Sequence, residues 1–334
     1  MAATGTAPAS GAAPVSQPRV TAVVVTYNRR DLLLESLAAV HAQTLPPDAV
    51  IVVDNASTDD TAAAVRKHHP GVQLAELTRN TGGAGGFAYG LALALAGGAD
   101  LVWLLDDDTV PEPGALRAML DARGHGAAPP PALVASRVVW TDGRAHPMNT
   151  PRPKPFMSTA ERQAAGEAGC VPIRSASFVS ILVDAAACRR RGLPRAGYFL
   201  WNDDFEFTTR LLRGSAGWLC PASMAVHKTA TFGSTDADPG PRFFYEVRNK
   251  IWTLRARAPL APWERVLYGG STVRRWARTF ARSRNRAVLV RAFARGVAAG
   301  VRSGPPGNAE VLAAAGVTLP PLRPVSPEPR ESQG

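Results

Sequence analysis

Four runs, "VTAVVVTYN" (20–28), "AVIVVDNAS" (49–57), "VQLAEL" (72–77) and "DLVWLLDDD" (100–108), constrain the fold of this chain more than any other feature. The first is a continuous β-branched run, as strands buried on both faces are, and the other three read as further strands. Between them lie segments with helical apolar spacing, such as Leu33, Leu34, Leu37 and Val40 in "RRDLLLESLAAVHAQ", a second over 57–67, and a third ending near Ala96. A β-α-β-α-β-α-β order at such short spacing predicts a parallel sheet with right-handed crossovers and helices on both faces.

Ligands of open parallel sheets bind beyond the carboxyl ends of the strands. Those ends carry Thr26-Tyr27-Asn28, Asp54-Asn55, Arg79-Asn80 with the glycine segment "NTGGAGGFAYG", and Asp106-Asp107-Asp108. In extended backbone Asp106 and Asp108 point one way and Asp107 the other. Adjacent carboxylates are costly to hold together unless a cation neutralises them. Oxygen ligands of this kind suit Mg²⁺ or Mn²⁺, with substrate phosphates completing the shell. The plainer alternative is a solvated acidic turn ahead of a helix. Residues 80–90 match neither the dinucleotide fingerprint nor the P-loop. Bare backbone there lets a ligand approach closely, although a flexible connection would use the same residues.

Past Asp108 the rhythm changes. "TVPEPGALRAML" reads as a turn and short helix, "ALVASRVVW" (132–140) as a strand, and the Pro-rich polar stretch 141–172 as a long loop beside a site. "ASFVSILVDAAACRRRG" resumes strand then helix, "YFLWNDDFEFTTRLLRG" sets an acidic cluster at a helix start, "GWLCPASMAVHK" ends in a histidine, and "RFFYEVRNKIWTLRARA" is helical.

The net charge is +11, yet ten arginines and no acid lie between Arg265 and Ala309, so the remainder is close to neutral. That pattern argues against a general nucleic-acid coat and for one local anionic partner. The cysteines, Cys170, Cys188 and Cys220, lack the spacing of a zinc site or a disulfide framework and fit a reducing compartment. Residues 1–18 read as a disordered leader without the regions of a signal peptide, and 304–334 as a disordered Pro-rich tail. No run reaches the ~18 apolar residues that a membrane span requires.

"VVVTYNR", "VIVVDNASTD", "NTGGAGG" and "WLLDDD", in this order, resemble a family 2 glycosyltransferase of the GT-A fold, over about residues 18–255. The glycine pattern is similar to that of actinobacterial galactofuranosyl- and rhamnosyltransferases of cell-wall assembly. The resemblance implies a Rossmann-like α/β domain over 19–258, with a mostly parallel central sheet, followed by basic amphipathic helices over 259–303. It assigns the donor nucleotide-sugar to Thr26, Asn28, Asp54, Asn80, Gly82, Gly83, Asp106 and Asp107, with Asp54 accepting from a uracil or thymine edge. It gives Asp106 and Asp108 an Mn²⁺ or Mg²⁺ ion on the diphosphate, joined by His227.

"WNDDFEF" (201–207) resembles the family's acceptor-site acidic motif. By that match Asp204 is the general base, with Asp203 and Glu206 supporting it; the family often has a single aspartate here, which leaves Asp203 and Asp204 both open. Trp201, Arg248 and Asn249 become candidates for the acceptor or a diphosphate. Plainer readings stand beside these: helix capping for the acids, a core histidine, a solvated helix face. The implied activity is inverting transfer of galactofuranose from UDP-galactofuranose, or of rhamnose from dTDP-rhamnose, to a hydroxyl of a lipid-linked or cell-wall glycan. Its place would be the cytoplasm, peripheral on the inner face of the plasma membrane.

Within 272–301, Val273, Trp276 and Phe280 line one helical face and Leu289, Val290, Phe293 and Val297 another, among arginines. This suits a helix pair lying on anionic lipid, or one packed on the catalytic body. Among rivals, a nucleotidyltransferase would carry a glycine- and Lys/Arg-rich loop after its first strand, where "TYNRRD" has no glycine. A non-catalytic sugar-nucleotide or lipid-binding scaffold fits the same site. A nucleic-acid binder explains the arginines but not the acids.

Overall fold

The first, second and fourth apolar runs become strands because nearly every residue in them has a core to enter, whereas the third, with Gln73 and Glu76 exposed, forms the sheet edge. In the computed structural model, which describes residues 17–125, 129–232 and 238–322, strand β1 spans Val20–Thr26 and is buried throughout. It is followed by β2 (Ala49–Asp54), β3 (Gln73–Glu76), β4 (Leu101–Asp106), β5 (Thr109–Pro111), β6 (Leu133–Val139), β7 (Arg152–Pro153), β8 (Val171–Ser175), β9 (Ile181–Asp184) and β10 (Gly217–His227). They form one sheet in the order β3-β2-β1-β4-β9-β6-β10-β8-β7, with β5 against β10. β3, β2, β1 and β4 are parallel, whereas β9 runs antiparallel to both β4 and β6.

Alternate residues of β1 enter opposite cores. Val23 and Val25 meet Phe87 and Leu91 of helix α3 (Gly82–Ala96). Ala22 and Val24 meet Leu33 and Leu37 of α1 (Arg30–His41), in a core shared with Leu116 and Met119 of α4 (Ala115–Gly124). The register pairs Thr26 with Asp54 and Val25 with Asp106, so the polar strand ends fall on one edge.

Several boundaries differ from the sequence reading. α2 begins at Thr61 rather than 57, because Asp59 accepts from the Thr61 N–H and turns the chain first. Residues 141–172 are not one loop: they contain β7 and helix α5 (Thr159–Glu167), started by a capping box between Ser158 and Glu161. The glycines of 82–90 are helix, not loop. A Cβ on Gly86 would lie 2.4 Å from the Val25 side chain, and one on Gly90 2.4 Å from Val23, so α3 lies against β1 at a separation only glycine permits.

Helices α6 (Ala185–Arg191), α7 (Asp203–Leu211) and α8 (Phe243–Arg255) complete the central body. The basic helices are α9 (Pro262–Arg282) and α10 (Arg286–Arg302). Trp276, Phe280, Leu289, Phe293 and Val297 pack around Phe243 and Val247 of α8, while Val273 and Val290 remain exposed. Much of the apolar surface attributed to a membrane therefore faces the catalytic body. The tail reading also needs correction over its described part. α11 (Asn308–Ala313) is ordered, Leu312 and Ala315 are fully buried, and the Thr78 N–H donates to the Ala315 carbonyl beside β3. Residues 1–16 of the expected leader and 323–334 of the expected tail lie outside the described residues.

Candidate active site

At the carboxyl edge of the sheet, a cavity of about 730 Å³ opens between the end of β4, the start of α7, and helices α8 and α9. On its β4 side stand Asp106 and Asp108. The antiparallel pairing of β5 with β10 sets His227 opposite Thr109 and thus beside Asp108. One ligand atom from each of Asp106, Asp108 and His227 can be chosen so that all three lie within 4.8 Å of one another.

The second ring nitrogen of His227 is fixed. Asn149 donates from Nδ2 to Ser177 Oγ (3.0 Å), which turns its Oδ1 toward His227 Nδ1 at 2.8 Å. The Nδ1–H donates there, leaving the Nε2 lone pair on the cavity side. Nε2 lies 2.9 Å from Asp108 Oδ1, a buried oxygen with no aligned donor. His227 Nε2 and Asp108 Oδ1 thus stand at the spacing of two adjacent ligands of one cation. Burial, then Asp108 and Asp107, push the Asp106 carboxyl well above the usual carboxylate range. A divalent ion would relieve that crowding, so this donor set fits Mn²⁺ or Mg²⁺.

Asp107 does not follow the expected alternation: β4 ends at Asp106, residues 107–108 form a turn, and Asp107 lines the same cavity and shares Arg29 with Asp108. It accepts from Thr26 Oγ1 (2.9 Å), the Tyr27 N–H (3.3 Å) and Arg29 (3.2 Å), tying the end of β1 to β4. Burial lifts its carboxyl to about 6 against the pull of Arg29. Arg29 also reaches Asp108 Oδ2 at 2.5 Å.

Of the residues assigned to the donor, Thr26, Gly83, Asp106 and Asp107 line the cavity. Asn28, Asp54, Asn80 and Gly82 stand outside its wall. Asn28 and Asp54 accept from the Thr58 and Ser57 N–H groups, and Asn80 Oδ1 accepts from the Gly82 N–H. Asn55, named among the polar strand ends but given no donor role, lines the cavity and anchors the start of α3. It donates to the Gly82 carbonyl (2.8 Å) and accepts from Thr81 N (3.0 Å) and Oγ1 (2.8 Å).

Opposite lies the acidic motif on a strained loop: Phe199, Trp201 and Asn202 have φ of 64°, 64° and 63°. Such conformations cost energy and persist where neighbours impose them. Asn249 is the neighbour here, fully buried, its Nδ2 donating to the carbonyls of Tyr198 (2.9 Å), Leu200 (2.8 Å) and Trp201 (2.8 Å). Arg248 Nη2 donates to the Gly197 (3.1 Å) and Tyr198 (2.9 Å) carbonyls while stacking on Trp252. These two residues brace the loop from behind; neither lines the cavity, which corrects their assignment to a diphosphate. Trp201 does line it.

Asp203 and Asp204 form the first turn of α7 and face the cavity. Burial, then Asp204, pushes Asp203 up to about 8; burial also raises half-buried Asp204, although Phe205 N–H, Lys250 and Arg152 oppose the shift. Glu206 does not join them. It is fully buried on the other side of the helix, against Arg210 (2.8 Å) and Arg195 (3.1 Å), as a structural ion pair. The cavity wall also holds Arg152, Glu246, Lys250 and Arg275. The only sequence signal among them is the i,i+4 spacing of Glu246 and Lys250 on α8, which puts them on one face. Among the described residues no helix is long and apolar enough to cross a membrane.

Comparison with known proteins places the chain in a family. Residues 21–180 match the family model for glycosyl transferase family 2. The chain is 34% identical over 254 residues to the galactofuranosyltransferase GlfT1 of Mycobacterium tuberculosis, covering 70% of this chain and 82% of that protein. It is 29% identical over 250 residues to the N-acetylglucosaminyl-diphospho-decaprenol L-rhamnosyltransferase of the same organism, covering 65% of this chain and 78% of the relative. The solved structure of the mannosyltransferase PcManGT from Pyrobaculum calidifontis, in complex with GDP-Man and Mn²⁺, superimposes with a TM-score of 0.51 at 24% identity, over 91% of this chain and 81% of that one. The motifs, the sheet order and these similarities establish that the chain belongs to glycosyltransferase family 2, as an enzyme with the GT-A fold.

Proposed function

We propose that this enzyme transfers galactofuranose from UDP-galactofuranose, with inversion, to a hydroxyl of a lipid-linked or cell-wall glycan. One observation carries the reading: the Asp106–Asp108–His227 cluster and the Asp203–Asp204 pair share one cavity. The galactofuranosyltransferase relatives favour the sugar. The rhamnosyltransferase relative supports dTDP-rhamnose as the second donor.

Asp106, Asp108 and His227 would hold Mn²⁺ or Mg²⁺, which when bound supplies charge neutralisation for the departing diphosphate. Gly83 lets the donor approach α3 without a side chain, near the helix N-terminus. Asp54, at the end of β2, is the proposed acceptor for the base N–H. Asp204 takes the proton from the acceptor hydroxyl as its oxygen attacks the anomeric carbon from the side opposite the nucleotide. Asp203 stands beside it, and the braced loop fixes both. Val273 and Val290, exposed among arginines, support a peripheral place on an anionic membrane at the cytoplasmic face.

The test is transfer from a panel of sugar nucleotides with Mn²⁺ present or chelated. UDP-galactofuranose should give metal-dependent product, and Asp108→Asn should lower turnover by roughly 100-fold or more. Full activity after all divalent ions are stripped would overturn the metal role, and selective use of dTDP-rhamnose would replace the donor.

A further inference from the structure

Lys250 and Arg152 are cations that the mechanism above leaves unused. Lys250 is 3% exposed, lines the cavity, and rests its Nζ 4.3 Å from the centre of the Phe205 ring. Arg152 rests against Phe205 (5.4 Å) and Tyr268 (5.9 Å) at the cavity mouth. Among the described residues, neither has a carboxylate at ion-pair distance. Glu246 is already occupied: Arg275 pairs with it, Trp276 Nε1 donates to it (3.2 Å), and Asn202 Nδ2 donates to its second oxygen (2.7 Å).

A buried ammonium without an ion-pair partner is expensive, and one aromatic face with the more distant Glu246 and Asp204 offsets only part of that cost. Burial accordingly pulls Lys250 down to about 7, and lowers Arg152. These cations belong to the α8 and β7 side of the cavity, whereas the carboxylate–histidine cluster belongs to β4 and β10. They are therefore separate from the groups that would hold the donor diphosphate.

We infer that Lys250 and Arg152, with Arg275 beside them, form an acceptor-side anion subsite that holds a phosphate or diphosphate group attached to the acceptor. Asp204, on the same wall, then meets the hydroxyl of a sugar whose phosphoryl group is anchored at a fixed distance. The inference rests on the transferase reading for the word acceptor, but the anion site has its own readout.

Geranyl diphosphate is titrated by calorimetry into protein already saturated with UDP and Mn²⁺, with geraniol and inorganic pyrophosphate in parallel. Wild type should bind geranyl diphosphate and not geraniol. Lys250→Gln and Arg152→Gln should each weaken binding about tenfold or more, the loss expected for one charged hydrogen bond. UDP binding reports whether each variant is folded, and Arg152→Gln, at the exposed mouth, covers the case in which the buried substitution fails to fold. Geranyl diphosphate binding more tightly than pyrophosphate would assign the site to a lipid-linked acceptor, and equal binding to a lipid-free phosphate. No binding to the UDP-loaded protein, or binding unchanged in both variants, overturns the inference. Absence of sugar transfer from every donor, with this titration as expected, would instead overturn the transferase reading alone.

Discussion

His227 Nδ1 and Asn149 Oδ1 stand 2.8 Å apart, and Ser177 orients the Asn149 amide so that this contact is a donated N–H. Asn149 thereby sets the tautomer that leaves Nε2 free to ligate. Asn149→Leu should raise the Mn²⁺ concentration for half-maximal activity by about 10- to 100-fold, the usual effect of losing such a partner. A metal titration of turnover checks this, and an unshifted midpoint removes Asn149 from the role.

Asn249→Leu should release the loop bearing Trp201 and Asn202. Three carbonyls lose their donor, so unfolding stability should fall by roughly 2–4 kcal/mol. Turnover should fall further than UDP binding, because the acidic motif moves while the opposite wall remains. Urea unfolding together with UDP calorimetry separates the two effects, and a variant that is as stable and as active as wild type would show that the loop holds itself.

Gly86 and Gly83 should respond oppositely to alanine. At Gly86 the new methyl meets Val25 at 2.4 Å, and such overpacking costs about 1–3 kcal/mol. Nothing lies within 4 Å of a Cβ on Gly83, which lines the cavity. Gly83→Ala should keep or slightly raise stability yet increase the KM for the donor. Thermal melts and steady-state kinetics distinguish the pair, and an unchanged donor KM would place the donor elsewhere.

The Asp203 carboxyl, raised to about 8, predicts a specific pH dependence for the metal-free protein. The native state keeps a proton that the unfolded chain releases near pH 4, so this group's contribution is full below that value and is lost as pH rises through about 8. Asp203→Asn mimics the protonated acid. Its melting temperature should match wild type at low pH and exceed it increasingly up to about pH 8. A gap that is constant with pH would contradict the raised value.

Glu206→Ala should destabilise the fold by roughly 3–5 kcal/mol, because Arg210 would be left buried and unpaired. Asp204→Asn should instead remove turnover without lowering the melting temperature, since burial raises this carboxyl too. Equal melting temperatures for the two variants would undo the distinction between them.

The strand ends were legible because each apolar run stops where polar residues begin, whereas the turn at residues 107–108 breaks the period of two that would have set Asp107 opposite Asp106 and Asp108. The acidic motif was legible as a helix start, but not which carboxylate turned inward. One helical turn carries Asp203 and Asp204 to the cavity and Glu206 to the core, and that depends on where Arg210 and Arg195 lie. The glycines misled in a specific way. They look like a ligand loop, while Gly86 and Gly90 answer to β1 and only Gly83 meets the cavity. Arg248 and Asn249 have the polarity of ligand-binding groups, and nothing local reveals that their partners are the carbonyls of residues 197–201. Lys250 and Arg152 acquire meaning only when α8 and β7 bring them to the same Phe205 ring.

Gly82 has φ +70°, and a Cβ there would sit 1.9 Å from the Phe199 carbonyl oxygen, which also accepts the Ala84 N–H at 3.3 Å. Helix α3 and the loop leading into Asp203 and Asp204 thus touch main chain to main chain. No rotamer can absorb a displacement at that seam. A side chain at position 82 would drive helix and loop apart, so the two cavity walls keep their spacing only while that position stays bare.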